Sequence, residues 1–275
     1  MPFTREDILA KLRRTISDNQ PIIIAGAGTG ISAKFEEAGG VDLIIIYNSG
    51  KYRMAGRGSI AGMMPYGDAN AIVMETANEV LPVIRHTPVL AGVCGTDPFR
   101  SMDHFLSEIK AAGFSGVQNF PTVGIYDGVF RHELEETGIS FQLEVQMIKK
   151  AGELDLFTAP YVFMPEEAQS MAGVGADMVV VHLGPTVRVG KRKSKEAMLQ
   201  DTIHNVQKVC DAARQINPQI ICLCHGGPIS KPQDVAFILQ RTDGVQGFCG
   251  ASSVERFPTE MAIEAQMKKF KAIKF

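Results

Sequence analysis

Short apolar runs separated by amphipathic stretches recur along the whole chain. Pro21 to Ala25, Asp42 to Tyr47, Pro88 to Val93, Gly116 to Phe120, Leu156 to Val162, Asp177 to His182, Ile220 to Cys224 and Val245 to Cys249 are apolar with little alternation. Runs of this length without alternation suit strands buried on both faces, as in a parallel sheet. The intervening stretches Ile31 to Ala38, Asp68 to Leu81, Met102 to Ala112, Ile139 to Ala151, Pro165 to Ala172, Glu196 to Arg214 and Pro232 to Gln240 read as helices. Several end in glycine just before the next strand, as in Ala112-Gly113-Phe114 and Val174-Gly175-Ala176-Asp177. A helix stopped by glycine and followed at once by a buried strand, repeated this often, predicts one α/β domain over residues 1–275, a (β/α)8 TIM barrel.

Two helices lie outside that repeat. Thr4 and Asp7 have capping-box spacing, and Ile8, Leu12 and Ile16 share one helical stripe, so an extra N-terminal helix is expected across the amino-terminal mouth. At the other end Ile263, Met267, Phe270 and Ile273 form the stripe of a terminal helix.

Composition narrows the partners. The chain has 275 residues, 45% of them hydrophobic, enough for one large core. With 28 Lys+Arg against 30 Asp+Glu, no global positive field would hold a nucleic acid. No apolar run reaches the roughly 18 residues of a membrane span. Five cysteines, an odd number, fit reduced thiols and a cytoplasmic protein.

Candidate chemistry gathers where strands end. Gly26-Ala27-Gly28-Thr29-Gly30 sits between a strand and a helix and can offer backbone N–H groups, Gly28 among them, to an anion. Asn48 to Gly58 reads as a long loop in which Lys51, Arg53 and Arg57 could face an anionic ligand. Asp97 stands where barrels place catalytic or metal-binding carboxylates, and Asn119 can orient a substrate. His182 ends a strand, and the following segment to Lys195 is rich in base: Arg188, Lys191, Arg192, Lys193 and Lys195. Cys222 and Cys224 share a strand face opposite Ile221, Leu223 and His225, which argues for packing thiols and a mouth-facing imidazole rather than a metal cluster. The last two strands break into His225-Gly226-Gly227-Pro228 and Gly250-Ala251-Ser252-Ser253, the place where barrels hold a phosphate. Gly226, Gly227, Gly250, Ser252 and Ser253 are therefore expected to bind an anion, with Asp97, Asn119 and His225 as the catalytic groups.

Val93-Cys94-Gly95-Thr96-Asp97-Pro98, Asn119-Phe120-Pro121-Thr122-Val123-Gly124 and Cys224-His225-Gly226-Gly227-Pro228 resemble the TIM-barrel signal transduction or phosphoenolpyruvate hydrolase-like family of bacteria and plants. That family resembles in turn the carboxy-terminal part of a plant tobamovirus-resistance protein whose other part is a nucleotide-binding module, which implies a nucleotide-binding partner. More distantly, Ser32-Ala33, Ala38-Gly39 and Tyr47-Asn48-Ser49-Gly50 are similar to the opening of barrels in the phosphoenolpyruvate mutase and isocitrate lyase superfamily. By that resemblance Ser49 and Gly50 bind a pyruvoyl carboxylate and Asp97 helps to hold Mg²⁺. The resemblance implies a hydrolase or lyase of a small phosphorylated or phosphonylated 2-oxo acid. The alternative is a small-anion sensor without turnover; in either case a homo-oligomer is expected.

Overall fold

The computed structural model describes residues 3–184 and 195–275. Nine parallel strands form one sheet: β1 (Ile22–Ala27), β2 (Leu43–Ile46), β3 (Val89–Val93), β4 (Gly116–Asn119), β5 (Phe157–Thr158), β6 (Tyr161–Val162), β7 (Met178–His182), β8 (Ile221–His225) and β9 (Val245–Gly250). Their order is β5-β4-β3-β2-β1-β9-β8-β7-β6. The terminal members β5 and β6 are two pieces of one strand, split at Ala159-Pro160, where Pro160 brings no N–H to the ladder. Ala159 N donates to Val117 O on one side and Val180 N donates to Pro160 O on the other, so the ring closes into the expected (β/α)8 barrel.

The helices are α1 (Arg5–Ser17), α2 (Gly30–Ala38), α3 (Asn48–Met54), α4 (Ala69–Val80), α5 (Met102–Ala112), α6 (Gly128–Glu136), α7 (Phe141–Glu153), α8 (Pro165–Gly173), α9 (Lys195–Ile216), α10 (Pro232–Leu239) and α11 (Arg256–Lys271). Side-chain alternation along the strands builds two cores. Ile44, Ile46, Val179, Val181, Cys222 and Cys224 point outward beneath the helices. Leu43, Ile45, Tyr47, Met178, Ile221 and Leu223 fill the barrel interior. The packing role expected of Cys222 and Cys224 follows from that pleat, and all five cysteines are free.

Helix α1 carries both halves of the Thr4/Asp7 capping box and buries Ile8 and Leu12 against the interior core. Arg5 bonds to Asp177 at 2.9 Å and the Lys11 ammonium to Asp42 O at 3.2 Å, both where strands begin, so the helix closes the amino-terminal mouth.

One segment expected to be irregular is helical. The stretch from Asn48 is α3, followed by a 3-10 turn Ser59–Met63. Its polar sequence suggested a loop, but Asn48, Ser49, Gly50 and Arg53 are buried, and the helix turns Arg53 inward. Helix α6 adds a further element after β4, none of whose residues is buried. Arg188, Lys191, Arg192 and Lys193 lie outside the described residues; Lys195 bonds to Asp234 at 2.6 Å. No helix among the described residues is long and apolar enough to cross a membrane.

Candidate functional site

The carboxyl ends of the strands surround a small central cavity with about 40 Å³ of free space. Tyr47 from the end of β2, Tyr161 from β6, His182 from β7, His225 from β8, and Ser252 after β9 line it, with Ser49 and Arg53 from α3 and Ser59, Ile60 and Met63 from the 3-10 turn as a cover. Tyr47 and Tyr161 stack with their hydroxyls 2.9 Å apart, and Tyr47 donates to Gln118 Oε1. Burial pushes both phenol pKa values well up, so the pair stays neutral.

The imidazoles of His182 and His225 lie 4.5 Å apart. Their backbone bonds set opposite tautomers. Gly184 N donates to His182 Nδ1 at 3.0 Å, which leaves the proton of neutral His182 on Nε2. His225 Nδ1 donates to Cys249 O at 2.7 Å, which leaves Nε2 of His225 as an acceptor. Burial lowers the pKa of His182 well below its ordinary range, and His225 lowers it further. Burial lowers His225 to about 4, against the raising effect of its bond to Cys249 O. The cavity thus presents one imidazole donor and one imidazole acceptor, both uncharged.

Beside them Arg53, 1% exposed, engages each of its three guanidinium nitrogens. Its Nε reaches Glu255 Oε2 at 2.9 Å, Nη1 reaches Ser49 Oγ at 3.1 Å and Nη2 reaches Gly26 O at 2.8 Å. Glu255 Oε1 in turn accepts from Gly28 N at 2.6 Å. The anion cradle expected at the first glycine loop exists, and the chain's own carboxylate fills it. Similarly, Gly30 N donates to Glu79 Oε1 at 2.6 Å at the start of α2. Glu36, on α2, has both carboxylate oxygens buried without a hydrogen-bond partner. Burial, reinforced by Glu255 and opposed by Arg53, raises its pKa to about 8.

Of the residues expected to form the site, the cavity gathers Ser49, His225 and Ser252. Ser252 Oγ lies 2.9 Å from Ser59 Oγ. Gly28 and Gly50 press backbone to backbone, a Cβ on Gly28 meeting Gly50 O at 2.4 Å. Gly226 and Gly227 have φ of +78° and +56° and lie against Gly184 and Leu183, bringing the loops after β7 and β8 together. Gly250 packs beneath Val254, and Ser253 turns to an outer groove. Asn119 is wholly buried between strands, donating to Glu144 Oε2 at 2.6 Å and accepting from Tyr161 N at 2.6 Å. Burial raises the Glu144 pKa to about 7 against the bonds it accepts from Thr122, Val123 and Asn119. Asp97 lies off-centre. It accepts from Phe99 N and Asn70 at 2.9 Å and pairs with Arg100 at 2.5 Å. Burial works to raise its pKa, but these bonds outweigh it and hold the carboxyl below its ordinary value.

The model of the family described as phosphoenolpyruvate hydrolase-like matches residues 7–273. The chain belongs to that family. The tomato (Solanum lycopersicum) ToMV susceptible protein tm-1(GCR26) is 58% identical over 97% of this chain and 35% of its own length. The tomato ToMV resistance protein Tm-1(GCR237) is 57% identical over 98% of this chain and 36% of its own length. The chain therefore spans about a third of the length of these two curated relatives. Among solved structures, a phosphonopyruvate hydrolase in complex with oxalate and Mg²⁺ superposes with a TM-score of 0.60 at 12% identity, over 99% of this chain and 89% of that one. Identity that low speaks for the fold alone.

That neighbour's Mg²⁺ provides a test of the donor set. Among the described residues no group of three or more His, Cys, Asp or Glu side chains is placed to hold a metal ion. Asp97 is neutralised by Arg100 and accepts two further hydrogen bonds. So arranged, these residues do not fit a Mg²⁺ site, which takes near-octahedral oxygen ligands with carboxylates among them.

Sequence reasoning had no route to the partnership of Arg53 with Glu255, 202 positions apart. Tyr47 was more accessible, because pleat alternation from Leu43 and Ile45 places it inside the barrel.

Proposed function

We propose that the chain is an enzyme that binds a small phosphorylated or phosphonylated 2-oxo acid, with phosphorus on C3 as in phosphonopyruvate or on the C2 oxygen as in phosphoenolpyruvate, in the central cavity. The pair of oppositely fixed imidazoles carries this reading. The Ser49, Ser59 and Ser252 hydroxyls and the guanidinium of Arg53 receive the acid's anionic end. His182 Nε2–H donates to the 2-oxo oxygen, where negative charge develops as the enolate forms. His225 Nε2 takes a proton from water, whose oxygen attacks phosphorus as its bond to C3 of phosphonopyruvate, or to the C2 oxygen of phosphoenolpyruvate, breaks and leaves the pyruvate enolate. The imidazolium returns that proton to C3, giving pyruvate and phosphate. An anion held against His225 raises its pKa from about 4 toward the working range. With only about 40 Å³ free, Ser59 to Met63 must lift to admit such an acid.

Phosphate release followed by ³¹P NMR, with pyruvate measured by a coupled dehydrogenase, tests the proposal. Turnover of either acid, lost in His182→Asn and His225→Asn, is expected. Absence of both products from both acids defeats it.

One observation favours a second reading, a sensor without turnover. Glu255 already occupies the Arg53 and Gly28 cradle, so an arriving anion would displace an internal carboxylate at the start of α11. The tomato relatives, in which this chain matches about a third of the length, are named for susceptibility and resistance to ToMV and not for a reaction, which fits a regulatory role. Anion binding without product by mass spectrometry, with displacement of Glu255 seen in the bound structure, distinguishes it from the enzyme.

A further inference from the structure

Asn70, Asp97 and Arg100 stand apart from the central cavity and line a second one. The segments that follow β2, β3 and β4 enclose about 550 Å³ there, a volume in the range of small-molecule sites. Its walls are mostly apolar, and Phe99, Tyr126 and Phe130 are among them. Phe99 is 94% exposed, and Phe130, more than half exposed, meets Tyr126 edge to face with ring centroids 5.1 Å apart. Exposed rings gathered at one cavity are what a bound apolar body would cover.

The polar groups around this cavity have their donors committed and an acceptor to spare. Arg100 Nη1 reaches Asp97 at 2.5 Å and Nη2 reaches Asp68 at 2.6 Å, so one guanidinium serves two carboxylates. These three are the charged side chains that line the cavity, which leaves one negative charge over. Asn70 Nδ2 donates to Asp97 at 2.9 Å and to Cys94 O at 3.2 Å, and the Tyr126 hydroxyl donates to Met63 O at 3.2 Å. Asn48, 2% exposed, also lines the cavity and gives Nδ2 to Gly62 O at 2.8 Å, while its Oδ1 has no hydrogen-bond partner. A buried amide oxygen without a donor is costly, and native structures leave few. A Cβ on Gly62 would lie 3.2 Å from this oxygen, so the 3-10 turn Ser59–Met63 roofs it and a donor reaches it as that turn shifts.

We infer that this cavity binds a small organic ammonium, an apolar body carrying a protonated amine whose N–H groups answer Asn48 Oδ1 and whose charge offsets the surplus carboxylate. An anion would face two carboxylates across a guanidinium already shared between them. A neutral apolar molecule would cover the rings and leave Oδ1 without a donor. An ammonium supplies donor and charge at once, and the faces of the aromatic rings favour a cation as well. The site is distinct from the central cavity: Met63 lines both, but neither imidazole reaches this one.

The chain contains no Trp, so the fluorescence anisotropy of an indole probe is read without background. Tryptamine is expected to bind saturably, one molecule per chain. Indole-3-propionate, with the same ring and spacer but an anionic end, should bind at least about tenfold more weakly. So should N,N,N-trimethyltryptammonium, which keeps the charge and loses the ammonium N–H groups. Met64→Arg and Phe130→Ala, at exposed positions that line this cavity and not the central one, should each weaken tryptamine by about tenfold or more. Asn48→Leu should abolish the preference for tryptamine over its trimethyl form; if that variant unfolds, the preference in the parent chain decides alone. Equal affinity of the parent for tryptamine and either analogue overturns the inference, as does the absence of saturable binding at millimolar tryptamine. Binding indifferent to both Met64→Arg and Phe130→Ala lies elsewhere on the chain and overturns it too.

Discussion

Glu255→Ala tests whether a carboxylate supplied by the chain is what holds the mouth together. In the parent, Glu255 accepts from Gly28 N at 2.6 Å and from Arg53 Nε at 2.9 Å, and both charged side chains have no exposure. Removing one member of a buried ion pair leaves the other charge uncompensated, which costs about 3–5 kcal/mol. Arg53 keeps its bonds to Ser49 and Gly26 O, so the lower half of that range is expected. Urea unfolding at one protein concentration should show the midpoint fall with the slope preserved. Replacing both partners, as in Arg53→Met/Glu255→Leu, should cost less than Glu255→Ala alone, because no buried charge remains. The alanine variant also leaves an empty cradle of one backbone N–H and one guanidinium. Formate at ten times its dissociation constant should then restore about 1.4 kcal/mol, while leaving the parent unchanged. If Glu255→Ala unfolds within about 1 kcal/mol of the parent and ignores formate, the reasoning fails.

The remaining predictions address the pH response, the imidazole pair and the loop after β8. The Glu36 pKa rises from its ordinary 4.5 to about 8, so its stabilising contribution is full below the lower value and fades as pH climbs through the higher. Urea midpoints of the parent should therefore fall between pH 5 and pH 8. Glu36→Gln should flatten that fall, by about 1.4 kcal/mol for each pH unit between the two values, and an unchanged profile contradicts the assignment. His225→Asn should lower turnover by about a hundredfold or more while its urea midpoint stays near the parent's, and equal activity removes His225 from the chemistry. Gly226→Ala should lower the thermal midpoint, costing about 2 kcal/mol or more, because φ is +78° and the added Cβ would lie 2.2 Å from Gly184 O. A midpoint equal to the parent's would mean that the loop relaxes freely.

The barrel was legible in the sequence because its signals are local. Eight apolar runs, glycine stops before strands and the Thr4/Asp7 cap each act within a few residues of chain. Pleat alternation likewise placed Cys222 and Cys224 under the helices and His225 inside. The local rule failed at Asn48 to Met54, where a polar stretch reads as a loop and burial of Ser49 and Arg53 goes with a helix. The site was legible only in part for the same reason. Ser49, His225 and Ser252 come to the cavity, whereas Asp97 and Asn119 spend their polar atoms on Arg100, Asn70, Glu144 and Tyr161.

The sequence by itself determined the order of the barrel strands and of the helices that follow them, and that glycine turns and polar groups collect at the carboxyl ends of the strands. Tertiary structure decided which groups share a cavity, since ring closure brings Glu255 to Gly28 and Arg53 across more than 200 positions. It also decided the fate of the glycine cradle and of the last apolar stripe. A backbone N–H answers to whichever carboxylate folding brings nearest, and Glu255 arrives as part of the chain. The stripe on α11 announced a face to be buried, yet in the folded chain Ile263, Met267 and Phe270 stay exposed.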